Sequence, residues 1–263
     1  MSLVKTLILP HSPLLIPEVG KANYNMLERT SLAYEKVAQE LKEIDTLIVI
    51  SPHSLDKADA FGINVAPEMR VDLKDFGFIP PKAHFNGDAV LADEIKNTLK
   101  DSWNIQMASN SELDHGSAVP AYLLGKEEFK FKLMVISPAV ELSLEKQAEF
   151  GCYLGEVIKK SEKKIAVVAS GDLSHRLKRK SPGGYSPKGA KFDNKLIEFL
   201  NVASTAKDNV VNMDTNLIEA AGECGLKPIV ILMGILDNTN WRPNVLAYQD
   251  DFGVGYLSME FEI

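Results

Sequence analysis

Residues 166–177 read AVVASGDLSHRL. An apolar run rich in β-branched residues stops at Ser170-Gly171-Asp172, and His175 stands three residues further on. The run is continuous rather than alternating, the pattern of a strand buried on both faces of a sheet. Three other runs have the same character: TLILP (6–10), DTLIVIS (45–51) and KLMVIS (132–137). Helical patterns separate most of them. Met26, Leu27, Leu32, Tyr34, Val37, Leu41 and Ile44 recur near a 3.6-residue period, which predicts a helix over 21–43. Asp88 reads as the N-cap of a helix over 88–100, and 141–160, 188–200 and 214–222 also read as helices. This alternation predicts an α/β fold whose central sheet, largely parallel or mixed, is covered by helices on both faces.

Outward from that frame, KPIVILMGILD (227–237) is too short and too apolar to type from periodicity. Gly225 and Pro228 fit an N-terminal turn, so it reads as a helix. NVLAYQDDFGVGYLSMEFEI, which ends the chain, reads as a turn and a final strand or hairpin. Residues 54–87, rich in Gly and Pro, read as extra strands or loops beside the sheet. No linker, low-complexity tract or repeat interrupts the chain, so 1–263 is expected to be a single domain.

With 263 residues, 45% of them hydrophobic, the chain can bury a core without disulfides or a structural metal. Cys152 and Cys224 are too few for a disulfide framework and suit a reducing cytoplasm. No apolar run approaches a membrane span, and MSLVKTLILPHSP lacks a signal-peptide pattern. A net charge of −7 argues against a nucleic-acid footprint. The local exception is the basic segment RLKRKSPGGYSPKGAK (176–191), which follows His175 directly. Its Gly-Gly and Ser-Pro steps read either as a lid carrying cations toward an acidic substrate or as a solvated loop.

Of five histidines, three stand just beyond apolar runs: His11 after LILP, His53 after IVISP and His175 after VVASGDLS. In open α/β sheets, functional groups gather beyond the carboxyl ends of the strands. If these strands are parallel, the three imidazoles share one rim. His115, in ELDHGSAVPAYLL, stands at an apolar helical start, and whether His84 in KAHFNGDAV faces the same cleft stays open at this point. Such a rim suits metal binding, proton transfer or both. There is no H-x-x-x-H pair, C-x-x-C, G-x-S-x-G or P-loop, so any site is assembled from distant segments. Two histidines and one carboxylate on one face of a metal would leave open positions, as in non-haem Fe(II) oxygenases.

The segments ILPHSPLLIPEVG, VISPHS, DHGSAVPAYLL, ASGDLSHRL and EAAGECGLKPIVILMGIL resemble, in order and rough spacing, the class III extradiol ring-cleavage dioxygenases, the LigB-like superfamily. The resemblance spans nearly the whole chain and is closest to the Memo-related branch, the AmmeMemoRadiSam system protein B proteins. It implies a non-haem Fe(II)-dependent dioxygenase that opens the ring of a catechol-like diol with O2. The alternative it implies is a Memo-like metal-binding redox or interaction protein, acting with AMMECR-type and radical-SAM partners and without ring cleavage. No nucleic acid or membrane enters either reading, and homo-oligomerisation stays open.

Carried over by position, the resemblance implies His11 and His53 as metal ligands, with a carboxylate from EAAGECG. Glu223 is the first choice because it sits at the turn, whereas Glu219 lies inside the preceding helix. Cys224 competes with both, and a soft thiolate would shift the preference from Fe(II) toward zinc or copper. His175 is implied as the general base and His115 as its partner. Asp172 and Asp114 could orient these imidazoles, although aspartate beside glycine is also ordinary turn chemistry.

Overall fold

The protein is described from a computed structural model, over residues 2–55, 57–80, 83–125 and 130–263. In chain order the strands are β1 (Leu3–Leu9), β2 (Thr46–Ile50), β3 (Phe61–Asn64), β4 (Glu68–Val71), β5 (His84–Asn86), β6 (Ile105–Ala108), β7 (Glu112–Leu113), β8 (Lys132–Ser137), β9 (Ile165–Ser170), β10 (Arg242–Gln249) and β11 (Tyr256–Glu262). The helices are α1 (Pro17–Gly20), α2 (Glu28–Glu40), α3 (Ala89–Leu99), α4 (His115–Leu124), α5 (Leu144–Lys160), α6 (Pro187–Leu200), α7 (Ala206–Val211), α8 (Thr215–Ala221) and α9 (Leu226–Ile235).

An eight-stranded sheet in the order β10-β11-β1-β9-β2-β8-β3-β6 forms the centre. The four apolar runs seen in the sequence are its inner strands, β1, β9, β2 and β8, and they pair in parallel. Antiparallel pairings of β11 with β1 and of β3 with β8 make the margins, so the sheet is mixed. Side chains along β9 alternate between faces. Ile165, Val167 and Ala169 join a core with α5, α6 and α9, whereas Ala166 and Val168 join one with α2 and α4. Both faces are apolar, so these strands read as unbroken hydrophobic runs.

Helix α9 is buried on every side except Lys227, because it packs between the sheet and α5. A helix enclosed in this way has no polar stripe, which is why its periodicity was mute. The segment expected as one helix over 21–43 divides into a 3-10 stretch, Lys21–Leu27, and α2. The Gly- and Pro-rich 54–87 region supplies β3, β4 and β5. Strands β5, β4 and β7 form a separate three-stranded sheet beside the main one.

The strand order has one consequence for function. β9 lies between β1 and β2, so the turn after β9 emerges between the chain exits that carry His11 and His53.

Candidate metal centre

Four imidazoles and one thiol meet at that edge. The rings of His11 and His53 are 5.0 Å apart, those of His11 and His115 5.1 Å, and His53 stacks on His115 at 4.4 Å. Cys224 Sγ lies 3.5 Å from His11 Nε2 and 3.8 Å from His175 Nε2. Donor atoms of His11, His53 and Cys224 all fall within 4.8 Å of one another, a grouping suited to one metal ion. His11 is buried, Cys224 half-buried and His53 exposed, so the cluster opens outward at His53.

The orientation of His11 follows from hydrogen-bond arithmetic. Ser170, the last residue of β9, donates its single hydroxyl proton to the Gly116 carbonyl, which only accepts. The 3.0 Å contact between Ser170 Oγ and His11 Nδ1 therefore places the ring proton on Nδ1. Nε2 is left with a free lone pair facing Cys224, the arrangement a metal-ligating histidine adopts when an outer partner fixes its tautomer. Nothing in the sequence reading singled out Ser170. The signal was present: β2, β8 and β9 run into or end on serine, and each serine has a task. Ser51 Oγ donates to Asp114 Oδ1 at 2.7 Å, and Ser137 Oγ accepts the Leu55 N–H at 3.0 Å.

The hydrogen bonds of the two aspartates go to backbone amides and serine hydroxyls. Asp114 caps α4, accepting the Ser117 N–H at 3.1 Å and the Ser117 hydroxyl at 2.6 Å, besides Ser51. Asp172 Oδ1 accepts the His11 N–H at 3.1 Å, while its Oδ2 is 4.0 Å from His175 Nε2. Burial pushes the Asp172 carboxyl up to about 7, against the opposing pull of that N–H.

The carboxylate chosen first from sequence is engaged elsewhere. Glu223 Oε2 accepts the Leu226 N–H at 2.6 Å, at the start of α9. The first amides of a helix lack intrahelical partners and attract negative charge, so this carboxylate turns toward the helix and away from the histidines. Burial still raises its carboxyl to about 7, although part of the residue reaches solvent. Glu219 is exposed on α8. Neither glutamate belongs to the clustered donors that could hold a metal ion, and the third of those donors is the Cys224 thiol.

Cys224 is held there by a close backbone crossing. A Cβ on Gly171 would stand 2.2 Å from Gly225 Cα, so the SGD turn and the ECG segment touch through their bare backbones. The Cys224 and Gly225 N–H groups both donate to the Asp172 carbonyl, at 3.3 and 3.0 Å. Beneath the turn, Asp193 of α6 accepts the Ser174 N–H at 2.9 Å and the Tyr248 hydroxyl at 2.7 Å. The sequence offered no motif for Asp193, which sits inside a helix 18 residues after His175.

The basic segment is a hydrogen-bonded corner. Leu177 N and Ser181 Oγ both donate to Gly253 O, Gly183 N donates to His175 O, and Lys178 pairs with Asp250. These bonds tie it to the turn between β10 and β11.

All four clustered imidazoles are pushed toward the neutral form. At His11 burial dominates, reinforced by His53, His115 and His175, and its pKa falls well below the ordinary value. Burial also leads at His53, His115 and His175. Neutral imidazole is the metal-binding form, so the environment suits a ligand set. Burial holds Cys224 well above the ordinary thiol range, with Asp172 adding to it. A coordinated thiol is deprotonated by the cation's own charge, so this preference does not oppose binding.

Beside His115 a cleft of about 270 Å³ opens, lined by Asp72, Lys74, Phe76, Glu112 and Asp114. Phe76 stands edge-on to His115, with ring centroids 5.8 Å apart. His84 is far from this chemistry, exposed on β5 against Glu68. Among the described residues, no helix is long and apolar enough to cross a membrane.

A mixed α/β sheet with a His-rich, metal-competent cluster beyond its parallel strands defines a recognisable class. The family model for the catalytic LigB subunit of aromatic ring-opening dioxygenase matches residues 5–259, and the chain belongs to that metal-dependent family. Protein CA_C1420 of Clostridium acetobutylicum is 29% identical over the whole chain. The chain spans 58% of the length of that curated relative. The crystal structure of uncharacterized protein JW3007 from Escherichia coli K12 has the same fold, with a TM-score of 0.72, 16% identity, and coverage of 98% of this chain and 99% of that one.

Proposed function

We propose that the chain is a metal-dependent dioxygenase of the extradiol type, acting on a small aromatic diol with O2. The observation that carries this reading is the convergence of His11, His53, His115, His175 and Cys224 at one strand edge. His11, His53 and Cys224 would hold the metal, with Fe(II) as the expected ion and zinc or copper favoured if the thiolate dominates. When bound, the metal would lower the pKa of the diol hydroxyls and accept both reactants in one coordination sphere.

The remaining steps belong to the chain. His175, neutral and half-exposed beside the thiol, takes a proton from the diol hydroxyl at Nε2. His115, stacked on His53 and facing Phe76, forms the wall against which the ring lies. The cleft of about 270 Å³ is ample for one substituted ring, since a cavity of roughly 150 Å³ holds benzene. Cys152 and Cys224, both free thiols, fit a cytoplasmic setting.

One observation favours a second reading. A His-His-Cys set is softer than the two-histidine, one-carboxylate set of ring-cleaving iron enzymes, and it suits a Memo-like redox protein with AMMECR-type and radical-SAM partners.

Metal analysis of anaerobically purified protein, followed by oxygen uptake on catechol, separates the readings. Stoichiometric iron with uptake supports the dioxygenase. Copper or zinc without uptake supports the second reading. Protein that binds no metal, unchanged by His11→Ala and His53→Ala, removes both. Within the first reading, His175→Ala should retain iron and lose about 10²- to 10⁴-fold in uptake rate.

A further inference from the structure

Residues 176–191 carry six cations, Arg176, Lys178, Arg179, Lys180, Lys188 and Lys191, and no acid. Arg176 is half-buried, and Lys178 pairs with Asp250. The other four are exposed, and none of them meets a carboxylate among the described residues. Lysines elsewhere on the surface do find acids: Lys146 meets Glu149, Lys164 meets Glu43 and Lys195 meets Glu198. Four neighbouring cations left without a counter-charge are therefore unusual in a chain whose net charge is −7.

Two of them also stand where a helix disfavours them. The amino-terminal end of a helix carries partial positive charge and attracts acids. Helix α5 follows that rule, with Glu145 in its first turn and Lys159 and Lys160 in its last. In α6 the order is reversed. Lys188 and Lys191 fall in its opening turns, three residues apart and so on one face, while Glu198 lies near its carboxyl end. Local electrostatics broken in this way, with no compensating pair, marks a surface shaped by something outside the chain.

The segment is also held in shape. Gly183 N donates to His175 O and Ser186 N to Arg176 O, so the loop leaves the site and returns to it, and Ser181 N closes a turn on Lys178 O. Tyr185, 60% exposed, stands in the chain between the two pairs of free cations. Exposed cations and an aromatic on a preorganised frame lose little freedom on binding, and aromatic residues are enriched at interfaces.

We propose that this corner is a docking surface for an acidic segment of a partner protein. The charges select the occupant. With six cations and no acid in the segment, the rest of the chain carries −13 of the overall −7. A bilayer or a nucleic-acid duplex is wide enough to meet that negative surface as well, whereas a short acidic segment touches the cations alone. Because the loop is bonded to the His175 carbonyl, the partner is held against the turn that carries His175. The inference holds whichever chemistry the metal centre performs.

The test is fluorescence anisotropy of the full chain with a rhodamine-labelled octaglutamate peptide, at low salt and at about 0.15 M ionic strength. Wild type should bind the peptide, more weakly at the higher salt. Arg179→Glu with Lys180→Glu, and separately Lys188→Glu with Lys191→Glu, should each weaken binding about tenfold. Lys36→Glu with Lys100→Glu, the same change in net charge at exposed positions on α2 and after α3, should leave it unchanged. The Lys188→Glu, Lys191→Glu variant should also melt about 1–4 °C higher than wild type, because its helix end then carries acids, and this melt shows that the variant is folded. Three results overturn the proposal: no binding of the peptide by wild type, a loss in the Lys36 and Lys100 variant as large as in the loop variants, or tighter binding of phosphatidylserine vesicles or a short DNA duplex than of the peptide.

Discussion

Cys224 Sγ lies 3.5 Å from His11 Nε2, while the neighbouring Glu223 carboxylate reaches the other way to the Leu226 amide at 2.6 Å. Two adjacent side chains thus divide two tasks, one facing the histidines and one capping α9. Cys224→Ala should lose metal and Glu223→Gln should retain it, as read by metal content after dialysis against a weak chelator. Glu223→Ala should lower unfolding free energy by about 1 kcal/mol through the lost cap. The opposite pattern, with metal lost only in Glu223→Gln, would return the ligand role to the carboxylate.

Ser170 sets the tautomer of His11 from the far side of the ring. Ser170→Ala leaves Nδ1–H without its acceptor, and metal affinity should fall about 10- to 100-fold, the usual loss for an outer-shell partner. Competition with a chromogenic chelator measures this directly. Unchanged affinity would mean that packing alone orients the ring.

Asp193 gives a pH signature. Burial pushes its carboxyl from 3.8 up to about 7, against the Tyr248 and Ser174 hydrogen bonds that pull it down. Between those values the folded protein holds a proton at this group that the unfolded chain has released. The contribution of this group to the stability of the metal-free protein should therefore fall as pH rises from about 4 to about 7, by roughly 4 kcal/mol at most. Asp172 and Glu223 act in the same direction in this window and the four clustered imidazoles in the opposite one, so the effect is read as a difference: the stability of Asp193→Asn relative to wild type should rise between pH 5 and pH 7.5. Urea unfolding at pH 5 and pH 7.5 makes the comparison, and identical slopes for wild type and variant would contradict it.

Gly171 lets the SGD turn touch the ECG segment. In Gly171→Ala the new methyl would meet Gly225 Cα at 2.2 Å, and backbone cannot swing aside as a side chain can. A cost of about 1–3 kcal/mol, or more, is expected, with metal affinity falling in parallel because Cys224 is displaced from His11. Thermal melts and metal content report the two effects. A folded variant with full metal binding would show that the crossing is dispensable.

Much of this was written in local pattern. The four apolar runs became the inner parallel strands because burial on both faces leaves a residue-by-residue mark. His11, His53 and His175 stood at strand exits, and parallel pairing gathers such exits at one edge whatever the intervening sequence. The final hairpin and the Asp88 cap were equally local. Short margins such as β6 and β7 left no comparable mark, because edge strands need neither a continuous apolar run nor a strict period.

What chain pattern could not supply was direction. Glu223 and Cys224 are neighbours, and no periodicity says which one faces the histidines; the start of α9 settles it by claiming the carboxylate for its free amide. Asp193 and Ser170 act on residues distant in sequence or across a strand edge, so their roles exist only once α6 packs under the turn and β9 lies beside β1. The basic segment read as a loop from its glycines and prolines, yet its anchoring to Gly253 depends on a hairpin seventy residues away. Apolar burial is set by composition along the chain and is therefore written there. Hydrogen-bond partnership is set by which groups arrive within about 3 Å, and that distance belongs to the folded chain alone.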